Sequence, residues 1–278
     1  MNPVEVVRTV QELRRKVAGW RAAGERVALV PTMGALHEGH LQLVRVGHRE
    51  AKRCVVSIFV NPTQFAPHED FSRYPRDEAG DLSKLALVGC DLVWAPDAKE
   101  MYPEGFATRV VPSGAAEGLE TDFRPDFFGG VATVCTKLFQ QVGADFAVFG
   151  EKDYQQLCVI RQTVRDLNLP LDIIPAPTVR ESDGLAMSSR NRYLSPEERG
   201  VAPIVHRVIN DVASAAGKGS AAAAIAEGRQ KLEAAGFRID YLEVRDAETL
   251  KVPQQDRPKR VLVAAWLGKT RLIDNVAA

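Results

Sequence analysis

VALVPTMGALHEGH, residues 27–40, contains the clearest indication of fold in this chain. Residues 27–30 form a short, continuous apolar run, which is typical of a strand buried on both faces. The loop PTMGALHEG follows, and a helix is predicted from near His40, with Leu41 and Val44 on its inner face. A buried strand, a glycine-containing loop and a helix in this order predict the first unit of a parallel α/β sheet.

The same unit repeats loosely along the first 178 residues. Further apolar strands are predicted at 54–60, 91–94, 145–149 and 171–174, with helices at 76–89, at 131–142 and opening with the sequence GEKDYQQL. Right-handed crossovers place the loops that follow parallel strands at one edge of the sheet. Open α/β sheets bind ligands at that edge, so residues 1–178 are predicted to form a Rossmann-like nucleotide-binding domain.

The two ends of the chain read differently from this repeat. At the amino terminus, Asn2, Pro3 and Glu5 have the order of an N-cap and first helical turn, which predicts a helix starting there. After residue 178, two helices are predicted at 196–213 and 219–235, followed by strands at 238–245, 260–266 and 271–273. Residues 179–278 are therefore predicted to form a smaller α+β domain.

Composition narrows the class of protein. Lys and Arg together number 36, as do Asp and Glu, so a zero net charge gives no general attraction to nucleic acid or to an anionic membrane. No apolar run approaches the roughly 20 residues that span a bilayer, and the amino terminus lacks the apolar core of a signal peptide. The four cysteines lie far apart in mainly apolar sequence, which favours small core residues over disulfides or a metal site. We expect a cytoplasmic protein with no membrane or nucleic-acid partner.

The first candidate site is the loop that ends in His37-Glu38-Gly39-His40. Two histidines three residues apart can face one way at a helix start, where backbone N–H groups and the helix dipole favour an anion. Gly34 and Gly39 let the backbone approach a ligand closely. The pattern favours the triphosphate of ATP; a polar turn with two surface histidines is the alternative.

Two further polar segments are candidates for phosphate contacts, and the first of them follows a predicted strand. Lys152, in Gly150-Glu151-Lys152-Asp153, can hold an α-phosphate and the charge that grows there during transfer, although a charged turn that caps a helix is equally common. Met187-Ser188-Ser189-Arg190 offers two hydroxyls and a guanidinium, which suit pyrophosphate oxygens. An exposed polar loop is the alternative for this second segment.

Five ordered blocks carry a family resemblance. HEGH at 37–40 resembles the HxGH motif of the nucleotidyltransferase superfamily, and the block PTMGALHEGH resembles the pantothenate synthetases (pantoate–β-alanine ligases). Four more blocks agree with that family in order: SIFVNPTQF at 57–65, FGEKDYQQL at 149–157, DGLAMSSRNRYL at 183–194 and VAAWLGKTRLIDN at 263–275. Together they span nearly the whole chain.

The resemblance implies an ATP-dependent condensation of pantoate with β-alanine through a pantoyl adenylate, releasing AMP and pyrophosphate. It implies catalytic roles for His40, His37, Lys152 and Arg190, and pantoate- and β-alanine-binding roles for Gln64 and Gln156. The implied ATP-binding residues are Met33, Gly34, His37, Gly39, His40, Gly150, Glu151, Lys152, Asp153, Val179, Met187, Ser188, Ser189 and Arg190. Mg²⁺ is expected to be held mainly by the phosphates, so no residue is assigned as a metal ligand. The resemblance also implies a homodimer. The position of residues 187–190 between the two predicted domains suggests that residues 179–278 act as a lid.

One segment departs from the family pattern, and two other functions compete. RPDFFGG, residues 124–130, has no histidine where the family often carries one, so no site residue is assigned to 126–129. A synthetase relative with another acceptor is the first competitor; a tRNA synthetase would need a tRNA-binding domain and more basic surface. A non-catalytic nucleotide-binding regulator is the second, and it would be expected to have lost one of the cations that are all present here.

Overall fold

The computed structural model describes residues 3–66 and 71–278 of the chain. It divides into two compact units. Unit 1 comprises Met1–Glu151 and Val159–Ala176, and unit 2 comprises Lys152–Cys158 and Pro177–Ala278.

Unit 1 is built on a six-stranded parallel sheet with strand order β1-β4-β3-β2-β5-β6. The strands are β1 (Val6–Val7), β2 (Val27–Thr32), β3 (Arg53–Ile58), β4 (Leu92–Trp94), β5 (Phe146–Gly150) and β6 (Asp172–Ala176). The helices between them are α1 (Val10–Ala22), α2 (Glu38–Glu50), α3 (Glu78–Leu87), α4 (Ala98–Met101), α5 (Glu120–Phe123) and α6 (Phe127–Val142). Helix α7 (Tyr154–Asp166) begins in unit 2 residues and ends in unit 1 residues. The predicted parallel α/β fold is confirmed.

Both faces of the sheet are covered. Val30 and Val56 pack with Val44 of α2 in one apolar cluster. Their neighbours along the strands, Leu29 and Val55, point to the opposite face and are equally buried, at 0% exposure. Because both faces are buried, the strands carry continuous apolar sequence rather than alternation, which is the feature that made them predictable.

The predicted helix start at Asn2 is wrong. Asn2 itself lies outside the described residues, and Val6 and Val7 form the edge strand β1, which pairs in parallel with β4. Helix α1 begins only at Val10, where Thr9 accepts from the Glu12 N–H and the Glu12 carboxylate accepts from the Thr9 N–H. Strand pairing therefore overrides a plausible local helix signal, and the true helix start carries a stronger one.

Unit 2 contains an antiparallel sheet of order β7-β8-β9, formed by β7 (Phe237–Asp246), β8 (Lys259–Leu267) and β9 (Thr270–Ala277). Its other helices are α8 (Pro196–Val201), α9 (Ile204–Ala216) and α10 (Ala221–Ala234). The helix predicted at 196–213 is thus split, because Pro203 has no N–H to continue α8 and instead starts α9. Residues of α9, α10 and one face of the sheet form the core of this unit.

Two expectations from composition concern the interior. The four cysteines are buried with free thiols, so the prediction that they are core residues is confirmed. In the described part of the chain, every helix is too short or too polar to cross a bilayer.

Candidate functional site

The loop after β2 takes an unusual backbone path that glycine makes accessible. Gly34 has φ +80° and Ala35 has φ +52°, both in the left-handed region. A Cβ at position 34 would lie 3.1 Å from the Asp81 carboxylate and 3.2 Å from the Ile58 side chain, so the loop passes close to both. The Thr32 hydroxyl accepts from the Gly34 N–H over 3.2 Å and donates to the Ser57 carbonyl over 2.7 Å, which ties the loop to β3.

A buried carboxylate holds the far end of the same loop. Asp81, 1% exposed on α3, accepts from the Leu36 N–H over 2.8 Å. Lys84, one turn later, lies 3.6 Å from Asp81 and donates to the Leu36 carbonyl over 2.8 Å. Both backbone groups of Leu36 are therefore fixed from one helix, and the following histidine starts from a defined position.

The two histidines cap helix α2 reciprocally. The Gly39 N–H donates to Nδ1 of His37 over 3.1 Å, and the His37 N–H donates to Nδ1 of His40 over 3.3 Å. An imidazole whose Nδ1 accepts a hydrogen bond carries its proton on Nε2. The rings are half-buried, with centroids 4.2 Å apart. The cap thus fixes both ring orientations and makes each Nε2–H a donor beside a helix N-terminus, which suits an anionic ligand.

Gln64 follows β3, the neighbour of β2, in a short 3₁₀ turn at Pro62–Gln64. Asn61, 1% exposed, directs it: its Nδ2 donates to the Gln64 Oε1 over 2.8 Å and to the Gly130 carbonyl over 3.3 Å. The Asn61 Oδ1 accepts from the Tyr102 hydroxyl over 2.8 Å. Because Oε1 of Gln64 is the atom that accepts from Asn61, the Gln64 Nε2 is oriented as a donor for a substrate oxygen.

The segment without a histidine, residues 124–130, contacts this turn. Arg124 donates to the Gln64 carbonyl over 3.0 Å. At Gly130 a Cβ would lie only 2.2 Å from the Thr63 carbonyl oxygen, so the start of α6 packs directly against the turn. The segment therefore supports Gln64 through a guanidinium and a glycine.

Gly150 and Glu151 leave β5, which lies beside β2 on the side opposite β3. The loops after β3, β2 and β5 consequently leave three neighbouring strands at one edge of the unit 1 sheet. The predicted site residues that unit 1 gathers at this edge are Met33, Gly34, His37, Gly39, His40, Gln64, Gly150 and Glu151.

Unit 2 holds the other predicted residues. Lys152 lies in the 3₁₀ turn Glu151–Asp153 with its ammonium 3.6 Å from the Asp153 carboxylate, and Gln156 is half-buried in the first turn of α7. The Lys152 carbonyl accepts from the Asn275 side chain over 2.8 Å.

The Met187–Arg190 stretch follows a small hairpin of unit 2. The Met187 N–H donates to the Val179 carbonyl over 3.0 Å, and residues 180 and 186 form an antiparallel bridge. The Ser188 hydroxyl then accepts from the Arg190 N–H over 3.3 Å and caps the turn Ser189–Tyr193. These contacts bring Val179, Met187 and the two serines next to Arg190 on one ordered segment.

Sequence reasoning missed two residues that position the site. Asn61 was visible as an asparagine before a proline, the pattern of a capped turn, but its interior position was not. Asp81 carried no signal, since it lies in a polar helix where carboxylates normally face water.

The fold and the candidate site define a class of protein. It is a parallel α/β protein in which three loops leave neighbouring strands at the same end of the sheet, and one of these loops leads into a helix capped by histidines. The family model for pantoate-beta-alanine ligase matches residues 5–277 of the chain. The chain therefore belongs to the pantoate–β-alanine ligase family.

Relatives agree over the full length. The chain is 58% identical to the pantothenate synthetase of Mesorhizobium japonicum, over 99% of this chain and 98% of that one. It is 57% identical to the pantothenate synthetase of Caulobacter vibrioides, over 98% of each. Among solved structures, the pantothenate synthetase of Thermus thermophilus superposes with a TM-score of 0.91 at 48% identity, covering 98% of this chain and 99% of that one. The pantoate-beta-alanine ligase of Francisella tularensis, complexed with beta-gamma ATP and β-alanine, gives 0.83 at 31% identity, covering 99% and 97%.

Proposed function

We propose that the chain condenses pantoate with β-alanine in an ATP-dependent reaction that passes through pantoyl adenylate and releases AMP and pyrophosphate. Full-length membership of the ligase family and the Francisella complex support this assignment. The single structural observation behind it is the reciprocal histidine cap of α2, because it presents two imidazole donors beside a helix N-terminus at the ligand edge of a parallel sheet.

The first step needs positioning more than proton transfer. Pantoate is ionised near neutral pH, so its carboxylate oxygen can attack the α-phosphorus directly while the bond to the pyrophosphate oxygen breaks. His37 and His40 donate to the phosphates through Nε2, and Lys152 stabilises the charge at the α-phosphate. Ser188, Ser189 and Arg190 bind the pyrophosphate end.

The remaining residues proposed to bind ATP belong to the same segments. ATP contacts are assigned to Met33, Gly34, Gly39, Gly150, Glu151, Asp153, Val179 and Met187. Mg²⁺ enters as part of the MgATP substrate, bound mainly by phosphate oxygens and water.

Gln64 and Gln156 orient pantoate as neutral amides that keep one protonation state. The free amine of β-alanine then attacks the acyl carbonyl, and AMP leaves. The proton that the attacking nitrogen loses passes to solvent. Adenylation makes this possible because it replaces a poor oxide leaving group with AMP.

Organisation and location complete the proposal. We assign ATP and pantoate binding to residues 1–178 and a lid function to 179–278, in a cytoplasmic homodimer. If nucleotide leaves the protease sensitivity of residues 180–192 unchanged, the lid function is wrong. Light scattering of the purified protein tests the dimer.

The function is tested by AMP release with pantoate, β-alanine, ATP and Mg²⁺, each omitted in turn. AMP should depend on all four. His40→Ala and Lys152→Ala should each slow adenylation by about 10²-fold or more, as loss of such donors does elsewhere. His48→Ala is the matched control, since that histidine contacts the Gly89 carbonyl over 3.1 Å at the other end of α2. AMP release without pantoate, or normal rates in both variants, would contradict the assignment.

A further inference from the structure

Two adjacent residues of β9 are polar and buried, and the function proposed above leaves them unused. Asp274 is 5% exposed and Asn275 is 3% exposed. Buried polar side chains normally persist because specific partners satisfy them. Asn275 contacts the Lys152 segment of unit 2, and Asp274 contacts the hairpin that precedes Arg190.

Asn275 anchors the Lys152 segment. Its Nδ2 donates to the Lys152 carbonyl over 2.8 Å, and its Oδ1 accepts from Nε of Arg260 over 2.7 Å. The Arg260 guanidinium lies 4.0 Å from the ring centroid of Tyr154, two residues after Lys152. The asparagine thus holds the backbone from which the Lys152 side chain projects.

Asp274 anchors the hairpin that leads to Arg190. Its two oxygens accept from the two terminal nitrogens of Arg180 over 2.6 and 2.9 Å, a bidentate pair. Arg180 also donates to the Gly184 carbonyl over 3.0 Å, across the turn of the hairpin.

His206 of α9 lies beside both Asp274 and the turn of the hairpin. Its Nδ1 lies 3.7 Å from Asp274, and a Cβ at Gly184 would lie 2.7 Å from its ring. Gly184 has φ +93°, so both its backbone angle and its surroundings favour glycine. The hairpin is therefore held in place by the pair between Arg180 and Asp274 and by its contact with α9, just before residues 187–190.

One strand can serve both segments because its side chains alternate. Asp274 pairs with Val263, which belongs to the core packed under α9, whereas Asn275 pairs with Leu262 on the opposite face. The dipeptide consequently reaches one segment on each side of the sheet, from a strand that pairs with β8 along its whole length.

We propose that Asp274 and Asn275 are positioning residues for the ligase reaction, which hold the Lys152 and Met187–Arg190 segments in a fixed mutual arrangement within unit 2. This inference rests on the proposed function, in which Lys152 serves the α-phosphate and Arg190 the pyrophosphate. Cations displaced by about 1 Å would lose much of their effect on transfer, at a cost on the order of 10²-fold in rate.

The two residues should give different kinetic signatures. Asp274→Asn should slow pantoate-dependent exchange of pyrophosphate into ATP by about 10-fold or more, yet leave the reaction of supplied pantoyl adenylate with β-alanine within about twofold, because that step involves no pyrophosphate. Asn275→Asp keeps an acceptor for Arg260 but loses the donor to Lys152. It should slow both steps, since the α-phosphate takes part in both.

Asp240→Asn is the control for general damage to unit 2. The Asp240 carboxylate is 2% exposed and accepts from Arg271 over 2.7 Å and from Trp266, which are side chains that belong to neither segment. Its variant should stay within about twofold of wild type in both steps. If Asp274→Asn and Asn275→Asp have the same rates as this control, or if both variants slow the same steps to the same extent, the inference is overturned while the proposed function stands. Absence of pantoate-dependent exchange in wild type, or a normal rate in Lys152→Ala, would overturn the proposed function and the inference with it.

Discussion

The Asn61 amide donates to the side-chain oxygen of Gln64 over 2.8 Å, so a residue that is itself 1% exposed sets which end of the Gln64 amide faces outward. The Tyr102 hydroxyl also donates to Asn61, and burial raises the pKa of Tyr102, which keeps that hydroxyl protonated.

Asn61→Asp should weaken pantoate binding. The carboxylate would turn the Gln64 NH₂ group inward and present Oε1 to the anionic substrate, so we expect KM for pantoate to rise about 10-fold, the equivalent of one hydrogen bond. Tyr102→Phe is the control, because it leaves the Asn61–Gln64 bond in place, and its KM should change less than about threefold. An unchanged KM in Asn61→Asp would refute the orienting role. Steady-state kinetics with varied pantoate measure both.

Gly130→Ala should distort the same turn. The added methyl would lie 2.2 Å from the Thr63 carbonyl oxygen, and overpacking of this kind costs about 1–3 kcal/mol of unfolding free energy. Gly129→Ala, one residue earlier in α6, meets nothing within 4 Å and should stabilise the helix by about 0.5–1 kcal/mol. The two variants are compared by their midpoints of thermal unfolding and by their KM for pantoate. Equal behaviour of both would show that the turn yields easily.

Asp274 should make stability depend on acid pH. Burial alone would raise its pKa, but the nearby His206 ring and the bidentate Arg180 guanidinium outweigh burial and hold the pKa below its ordinary value. The unfolded chain therefore binds the proton more readily, and this stabilisation is present above about pH 4 and is lost as the pH falls through the lower folded pKa.

The midpoint of thermal unfolding at several pH values tests this dependence. The gap between wild type and Asp274→Asn should be constant near neutrality and shrink as the pH falls below about 4. Asp256→Asn, which changes an exposed carboxylate of the same unit, should show no such narrowing. A gap for Asp274→Asn that persists at the acid end would mean that its charge contributes nothing.

The cysteines should resist thiol reagents in the folded protein. Burial raises the pKa of Cys90 and of Cys135 to about 12 and raises that of Cys54 as well, so little nucleophilic thiolate forms near pH 8. Cys158 is also buried. Mass spectrometry after iodoacetamide treatment should find almost no label on native protein and label at all four positions after unfolding in guanidinium. Rapid labelling of one native cysteine would reveal local opening near it.

The sequence predicted those parts of the structure that depend on local pattern. The apolar run before PTMGALHEGH marked a strand buried on both faces, and the glycines and histidines after it marked the loop proposed to bind ligand. By contrast, the edge pairing of Val6 and Val7 depends on a strand more than 80 residues away, and no local signal reports it. The break at Pro203 was visible in the sequence, yet the apolar periodicity continues through it.

The supporting contacts of the site could not be read from sequence for the same reason. Asp81 fixes Leu36 and Asn275 fixes Lys152 from distant parts of the chain, and a polar residue that bonds a backbone group looks in sequence like one that faces water. The residues proposed to touch ligand could therefore be named from motifs, whereas the residues that position them required the fold.

The outermost strands of the unit 1 sheet have a consequence for self-association. β1 has only two residues, and β6 carries Pro175, which offers no N–H to a further strand. Neither margin is a good template for edge-to-edge growth, the route by which exposed strands seed aggregates. We therefore expect copies of this chain to meet through side-chain surfaces rather than through a continuous intermolecular sheet.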